Sequence, residues 1–459
     1  MSDTRAVPDI AADLSADPAL PARTVAKITL RLVPILIFLY ILNYIDRTNV
    51  ALATLQMNTD LGFSDTIYAF GLSTFYLSYF LFEVPSNLIL QRVGARVWIA
   101  RIMISWGLIS ACMMFVSGRW SFYILRFALG AAEAGFFPGI LLYLTTWIPF
   151  RHRARTIAWF LTSTAASGVI GGPLAALILQ LNGVGGLHGW QWLFLLEGLP
   201  SVVFGILVYF LLIDRPEQAR FLSPAEKSWL AGQLAQERDN SPHRHRMLLR
   251  HGFTQPAVWL LCAVYGTIIV AFQVVALWMP KLFKLVYLQN HPHGPKDFAA
   301  DAYADRIAAS LIAIPYAAAC IAMVLAAMRS DRTGRRRWPV ALGALGGSLG
   351  LALAALAIHF QSLPGLVAAF ALAAAGIWST MGPFWSLPSV FVHGTAAAAA
   401  IALINSVGNF GGGFIGPNVI GGLRDLYGSY IPALLLASAV TLLTLPLVAF
   451  LRAPRPAPS

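Results

Sequence analysis

From about residue 32 the chain alternates apolar runs of about 20 residues with short polar joints. A helix of that length rises about 30 Å, the thickness of a bilayer's hydrocarbon core. Runs starting near residues 32, 66, 97, 120, 155, 190, 256, 306, 338, 364, 395 and 429 predict twelve membrane spans and an all-α membrane protein. The first run is too long for the core of a cleaved signal peptide, so the first helix is expected to direct insertion itself. The pattern divides into a polar tail over 1–31, six spans over 32–213, a soluble loop over 214–254, six spans over 255–451 and a tail over 452–459. Within the loop, Ser223-Pro224-Ala225-Glu226 reads as a capping box with Pro at the first helical position. Trp229, Leu230 and Leu234 follow as a short apolar stripe, which predicts an amphipathic helix lying on the membrane face. Residues 243–251 read as a basic, solvated tether.

The halves repeat. Gln91-Arg92-Val93-Gly94-Ala95-Arg96 follows span two, and Asp331-Arg332-Thr333-Gly334-Arg335-Arg336 follows span eight, their Arg-x-Gly cores 240 residues apart. Span five carries Gly168-x-x-x-Gly172-Pro173 and span eleven carries Gly412-x-x-x-Gly416-Pro417, an offset of 244. Two motifs at nearly one offset predict two pseudo-symmetric six-helix bundles. The Gly-Pro pairs loosen their helices and let neighbours approach, as rocking points or as packing sites.

Composition agrees with a polytopic membrane protein: 58% hydrophobic and 11% charged residues, with a mean hydropathy of +0.69. The net charge of +12 is spread through the joints rather than over one face, which argues against nucleic acid. Of 32 Lys and Arg, 24 fall on the side of the N-terminus and six on the other, so both termini are expected in the cytoplasm. Cys112, Cys262 and Cys320 are scattered in apolar segments and read as core residues, with no disulfide framework or metal site. No H-E-x-x-H or G-x-S-x-G stands at a helix mouth, and the soluble chain is too short for a cofactor domain. No enzyme chemistry, cofactor or metal is expected.

Residues 331–336 resemble the loop signature of the major facilitator superfamily, G-x-x-x-D-R-x-G-R-R, with Ala327 in place of the first Gly. The first-half copy has Asn87 for that Gly and Gln91 for the Asp. Residues 43–51, 126–138, 214–230 and 382–422 resemble the anion:cation symporter family, especially its bacterial tartrate, phthalate and sugar-acid permeases. The resemblance covers nearly the whole chain beyond residue 30. It implies the major facilitator fold in the cell inner membrane and a monomer. The implied function is import of a small organic anion (a hydroxy, aromatic or sugar acid) by proton symport and alternating access. By resemblance to sugar-acid members, Tyr44, Arg47, Tyr79, Trp385 and Asn405 match substrate-binding positions, while Thr164 stands where some carriers have Gln. Arg92, Gly94, Asp331, Arg332, Gly334 and Arg335 match a cytoplasmic gate.

Asp46 and Arg47 put two charges inside the first span, at a cost of at least about 2.5 kcal/mol each on insertion scales. Helix neighbours point about 100° apart, so each needs its own partner. In span four, Arg126 and Glu133 are seven residues apart, on nearly one face. If spans one and four face each other, similar depths favour Asp46 with Arg126 and Arg47 with Glu133. Arg126 and Arg47 would then grip the anion through planar forks, and Asp46 and Glu133 would carry the proton. Glu83 and Arg101 are expected near cytoplasmic helix ends, where they snorkel or bind loop groups, and Glu197 is expected to be structural. The second half keeps its helix interiors uncharged but offers Gln273, Trp278, Trp378, Ser379, Trp385, Ser386, Asn405 and Asn409 for hydroxyls and a carbon skeleton. An anion exchanger or uniporter, or a nutrient sensor that binds without transporting, would use the same pocket.

Overall fold

The structure, a computed structural model, describes residues 17–239, 255–292, 298–333, 335–391 and 395–451. No β-strand occurs among them, and eleven helices are long and apolar enough to cross a membrane. In the first half these are α1 (Leu20–Leu61), α2 (Asp65–Val93), α3 (Ala95–Phe115), α4 (Arg119–Trp147), α5 (Trp159–Leu181) and α6 (Gly189–Leu211). After the surface helix α7 (Pro224–Asp239) come α8 (Pro256–Asn290), α9 (Ala300–Ser330), α10 (Arg337–His359) and α11 (Leu363–Trp385). The run expected from residue 395 is interrupted. It forms α12 (Thr395–Asn409), a π-helical turn (Phe410–Ile415) and α13 (Gly416–Tyr427), before α14 (Ile431–Phe450). Pro417 has no N–H to continue the ladder, and Gly411-Gly412-Gly413 gives the backbone room to widen.

The bundle end where α1 begins is called proximal below, and the end where it finishes distal. The first helix starts at Leu20, inside the stretch expected to be a polar tail. The reason lies in α7. The Ser223 N–H donates to Glu226 Oε2 at 2.8 Å and the Glu226 N–H to Ser223 Oγ at 3.2 Å, the reciprocal capping box expected there. Glu226 then receives Lys27 Nζ at 2.7 Å and lies 3.5 Å from Arg23 Nε. These pairs hold the first turns of α1 against α7, whose Trp229 and Leu230 are buried. The tether expected over 243–251 lies outside the described residues.

The two bundles meet in the reciprocal way a duplication produces: α5 packs on α9, and α2 packs on α13. Contact is backbone-close. A Cβ at Gly172 would stand 2.6 Å from the Ala309 carbonyl oxygen. Between α2 and α3, Gly94 takes a φ of 98°, and the Arg96 N–H donates to Asp214 Oδ1 at 2.8 Å. The loop that lacks an Asp at position 91 therefore receives a carboxylate from the end of α6. Arg92 there is exposed, as are Arg332 and Arg335 in the second copy. Gly334 and the side chain of Asp331 lie outside the described residues.

Candidate functional site

The site is built on α1, where Asn43, Tyr44, Asp46 and Asn49 are buried in the first bundle. Arg47 Nε donates to Glu133 Oε1 at 2.8 Å, and Nη2 reaches the same oxygen, so this expected pairing is present. Glu133 is placed by a break in α4: the next residues are Ala134 and Gly135, the latter at a φ of 89°. A Cβ at Gly135 would come within 2.3 Å of Ser86 Oγ, so only glycine lets α4 lie this close to α2. Three rings enclose the Arg47 guanidinium, those of Tyr79, Phe75 and Tyr44 at 5.1, 5.7 and 5.8 Å.

Asp46 does not meet Arg126. Its carboxylate accepts from Trp106 Nε1 at 2.9 Å, Ser110 Oγ at 2.9 Å and Ser201 Oγ at 2.7 Å. The helical phase explains the difference. With Arg47 turned to α4 and α2, the neighbouring side chain is directed about 100° away, into the seam of α1 with α3 and α6. Arg126 is 1% exposed and lies over Phe75 at 4.6 Å, and its Nε and Nη1 have no hydrogen-bond partner. The two arginines thus share the Phe75 ring rather than a carboxylate.

Glu83 is also placed differently from the sequence expectation. It does not snorkel: it is 3% exposed and accepts from Asn405 Nδ2 at 2.8 Å and Ser406 Oγ at 2.9 Å, across the bundle interface. Its signal in the sequence was depth alone, which cannot show an opposite bundle. Arg101 lies over Trp98 at 3.9 Å near the proximal end of α3. Glu197 is buried within the first bundle.

Between the bundles lies a cavity of about 70 Å³. Tyr40, Tyr44, Tyr76 and Thr164 line it from the first half, and Tyr265, Gln273, Trp385, Asn405 and Asn409 from the second. Tyr76 Oη donates to Gln273 Oε1 at 3.2 Å across it, and the Trp385 ring stands 4.9 Å from Tyr265. Of the expected binding residues, Tyr44, Trp385 and Asn405 form the wall. Arg47 and Tyr79 lie one ring behind Tyr44, and Arg126 lies beyond Phe75. A pocket for a bound small molecule usually has at least about 300 Å³, so the bundles are closed down on this cavity.

The distal end carries a second cross-bundle cluster. Asp65 at the start of α2 pairs with Lys281, accepts from Tyr430 Oη, and lies 3.8 Å from Arg424 Nε. The Thr66 N–H donates to Asp425 Oδ2 at 3.0 Å. Sequence reading missed this cluster because each member alone is an ordinary loop-end charge.

Comparison with known proteins places the arrangement. Residues 36–417 match the family model of the Major Facilitator Superfamily. The "Putative tartrate transporter" of Agrobacterium vitis is 42% identical over 433 residues, 93% of this chain and 92% of that one. The "Putative metabolite transport protein NicT" of Pseudomonas putida is 43% identical over 410 residues, covering 89% and 90%. Among solved structures, the xylose transporter XylE from E. coli, in a partially occluded inward open conformation, has a TM-score of 0.68 at 15% identity, covering 91% of this chain and 96% of that one. The chain belongs to the Major Facilitator Superfamily, whose members are membrane transporters of small molecules and not enzymes.

Proposed function

We propose that the protein imports a small organic anion by proton symport, its two bundles rocking about the central cavity, with the proximal end and both termini in the cytoplasm. The observation that carries this reading is the Arg47–Glu133 pair, held in an aromatic cage directly behind the cavity wall. Paired, the two charges cancel. When Glu133 takes a proton, Arg47 keeps its charge and gains a free fork that suits a carboxylate. Proton and anion then enter together, and the loaded site is neutral again.

The other residues follow from their positions. Tyr44 and Trp385 form apolar walls, Tyr79 holds Arg47 from behind, Asn405 offers an amide to hydroxyls or carboxylate, and Arg126 supplies a further cation behind Phe75. Asp46 is the second proton site. A protonated carboxyl accepts fewer of the donors from Trp106, Ser110 and Ser201, so protonation loosens α1 from α3 and α6. Arg92 and Gly94, with Asp331, Arg332, Gly334 and Arg335, form the cytoplasmic gate. The 24 cationic residues on the proximal side support the orientation. The similarity to a protein named for tartrate supports a short hydroxy acid as the substrate.

A panel of carboxylates added to purified protein tests the reading, because a ligand that binds only the folded state raises apparent stability. The expected result is stabilisation by one or a few small hydroxy or aromatic acids. In proteoliposomes, the same acid should accumulate when the proximal side is made alkaline relative to the other. A panel in which no carboxylate stabilises the protein, or uptake indifferent to the pH gradient, overturns the anion or the proton part respectively.

A further inference from the structure

The hydrogen bonds from α2 to the second bundle fall into two groups. Toward the distal end they include those of Asp65 with Lys281 and Tyr430, Thr66 with Asp425, Tyr68 with the Leu277 carbonyl, Ser73 with the Phe414 carbonyl, and Tyr76 with Gln273. Three turns proximal to Ser73 stands Glu83, whose two oxygens take one donor each from Asn405 and Ser406 on α12.

Three features of this second contact set it apart from a packing contact. Among the described residues, no Lys, Arg or His forms an ion pair with Glu83; its hydrogen-bond donors are neutral, and Arg47 acts on it only through space. One donor belongs to the cavity and the other follows it on α12: Asn405 lines the cavity, and its Oδ1 accepts from Asn409 Nδ2 at 3.0 Å, which turns its own N–H groups toward Glu83, beside Ser406. Finally, α8, α11 and α12 carry no charge beside the cavity, so amides and hydroxyls are what the second bundle can offer an anion there. A neighbouring amide and hydroxyl that already hold one carboxylate have the geometry to hold another.

We propose that Glu83 stands in for the substrate: in the empty carrier its carboxylate occupies the Asn405–Ser406 donor pair, and an incoming organic carboxylate takes the pair over and releases α2 from α12. This rests on the organic-anion reading above and adds to it a displacement that joins binding to separation of the bundles at the proximal end. The exchange is balanced: one carboxylate leaves two neutral donors and another arrives. The released Glu83 is hydrated as the bundles part at the proximal end. A neutral polyol could fill the cavity but would compete poorly for donors already held by an anion, so the same device favours carboxylates over sugars.

The test has two arms. The first measures binding of L-tartrate, or of the panel carboxylate that stabilises best, to the wild type, Glu83→Gln, Glu83→Ala and the triple variant Glu83→Ala/Asn405→Ala/Ser406→Ala. Removing the competitor should tighten binding about tenfold or more in Glu83→Ala and less in Glu83→Gln, whose amide oxygen still accepts one donor. The triple variant should lose that gain. The second arm keeps Glu83 in place: spin labels at Leu88 on α2 and Ile401 on α12 report their separation with and without the carboxylate, and with threitol, which has tartrate's hydroxyls and no carboxyl. The expected result is a longer distance with the carboxylate and none with threitol. If the wild type binds the carboxylate but Glu83→Ala binds it no tighter, or the label distance does not lengthen, the stand-in role is overturned while the anion reading survives. If the wild type binds no carboxylate, both fall.

Discussion

Glu133→Gln is the substitution that best separates coupling from scaffolding. It removes the charge that cancels Arg47 while keeping size, shape and a carbonyl that can still accept from the guanidinium. Stranding a buried ion by removing its partner costs about 3–5 kcal/mol. Here the cost should be lower, about 1–3 kcal/mol, because one acceptor remains and the rings of Tyr44, Phe75 and Tyr79 stay around the cation. The protein should therefore fold with a modestly lower melting temperature. The same stranded charge is then available to a ligand. A hydrogen bond to a charged group contributes about 1.5–3 kcal/mol, so a carboxylate seated on the freed Arg47 should bind roughly 10- to 100-fold tighter than to the wild type. Transport should split in the opposite sense. Exchange of internal for external anion persists, because both loaded orientations remain reachable. Uptake driven by a pH gradient fails, because position 133 cannot release a proton to reset the empty carrier. Melting curves with titrated anion, followed by exchange and gradient uptake on one reconstituted sample, give all three readings. A folded Glu133→Gln that accumulates substrate under a pH gradient like the wild type would refute the coupling, and loss of anion binding and exchange together would mark the pair as structural.

Four other outcomes follow. Arg47→Lys keeps the charge but loses the two-point fork, and anion affinity should fall about 30-fold; unchanged affinity would remove Arg47 from the anion site. Glu226 lies outside the membrane: burial raises its carboxyl, but the Lys27 ammonium, the Ser223 N–H and Arg23 outweigh burial and hold it below its ordinary value of 4.5. A depressed carboxyl contributes its stability above the unfolded value and loses it as pH falls through the folded one. Docking of α7 on α1 should therefore be intact at pH 6 and lost as pH falls below 4.5, read as hydrogen exchange in α7 and residues 20–31; protection independent of pH down to 3 would contradict it. Asp65→Asn should weaken the distal cluster and speed thiol labelling of Leu285→Cys several-fold in a background without native cysteines, whereas an unchanged rate would mean that Asp65 does not seal that end. Reporters inserted after Lys227 and after Gly428 should read cytoplasmic and periplasmic respectively, and agreement between the two sides would break the orientation.

The fold was legible because its signals are local or periodic. Span length is fixed by bilayer thickness, and the twofold repeat is visible in two motifs at nearly one offset. Ser223 and Glu226 announced the start of α7 because a capping box satisfies backbone N–H groups within one turn. The early start of α1 was hidden for the converse reason. Residues 20–31 are polar enough to read as a tail, and the carboxylate that pairs with Arg23 and Lys27 there lies about 200 residues away. The break in the eleventh span had a signal, three glycines and a proline, but glycine content alone cannot distinguish a hinge from close packing.

For the site, helical phase was the part that could be read and partner identity the part that could not. That Asp46 and Arg47 need separate partners follows from 100° per residue, and Arg47 finds the carboxylate expected for it. Charge alone points Asp46 to a cation, whereas Trp106, Ser110 and Ser201 satisfy it with dipoles. Glu83 repeats the lesson across the bundle interface. The distinction matters for motion. Separating a buried ion pair leaves two desolvated charges, and removing a carboxylate from neutral donors leaves one. The distal joint is made of ion pairs around Asp65, while the proximal contact of α2 is an amide and a hydroxyl on Glu83. From this closed conformation the proximal joint is the easier to break, so the first opening of the cavity should be toward the side where α1 begins.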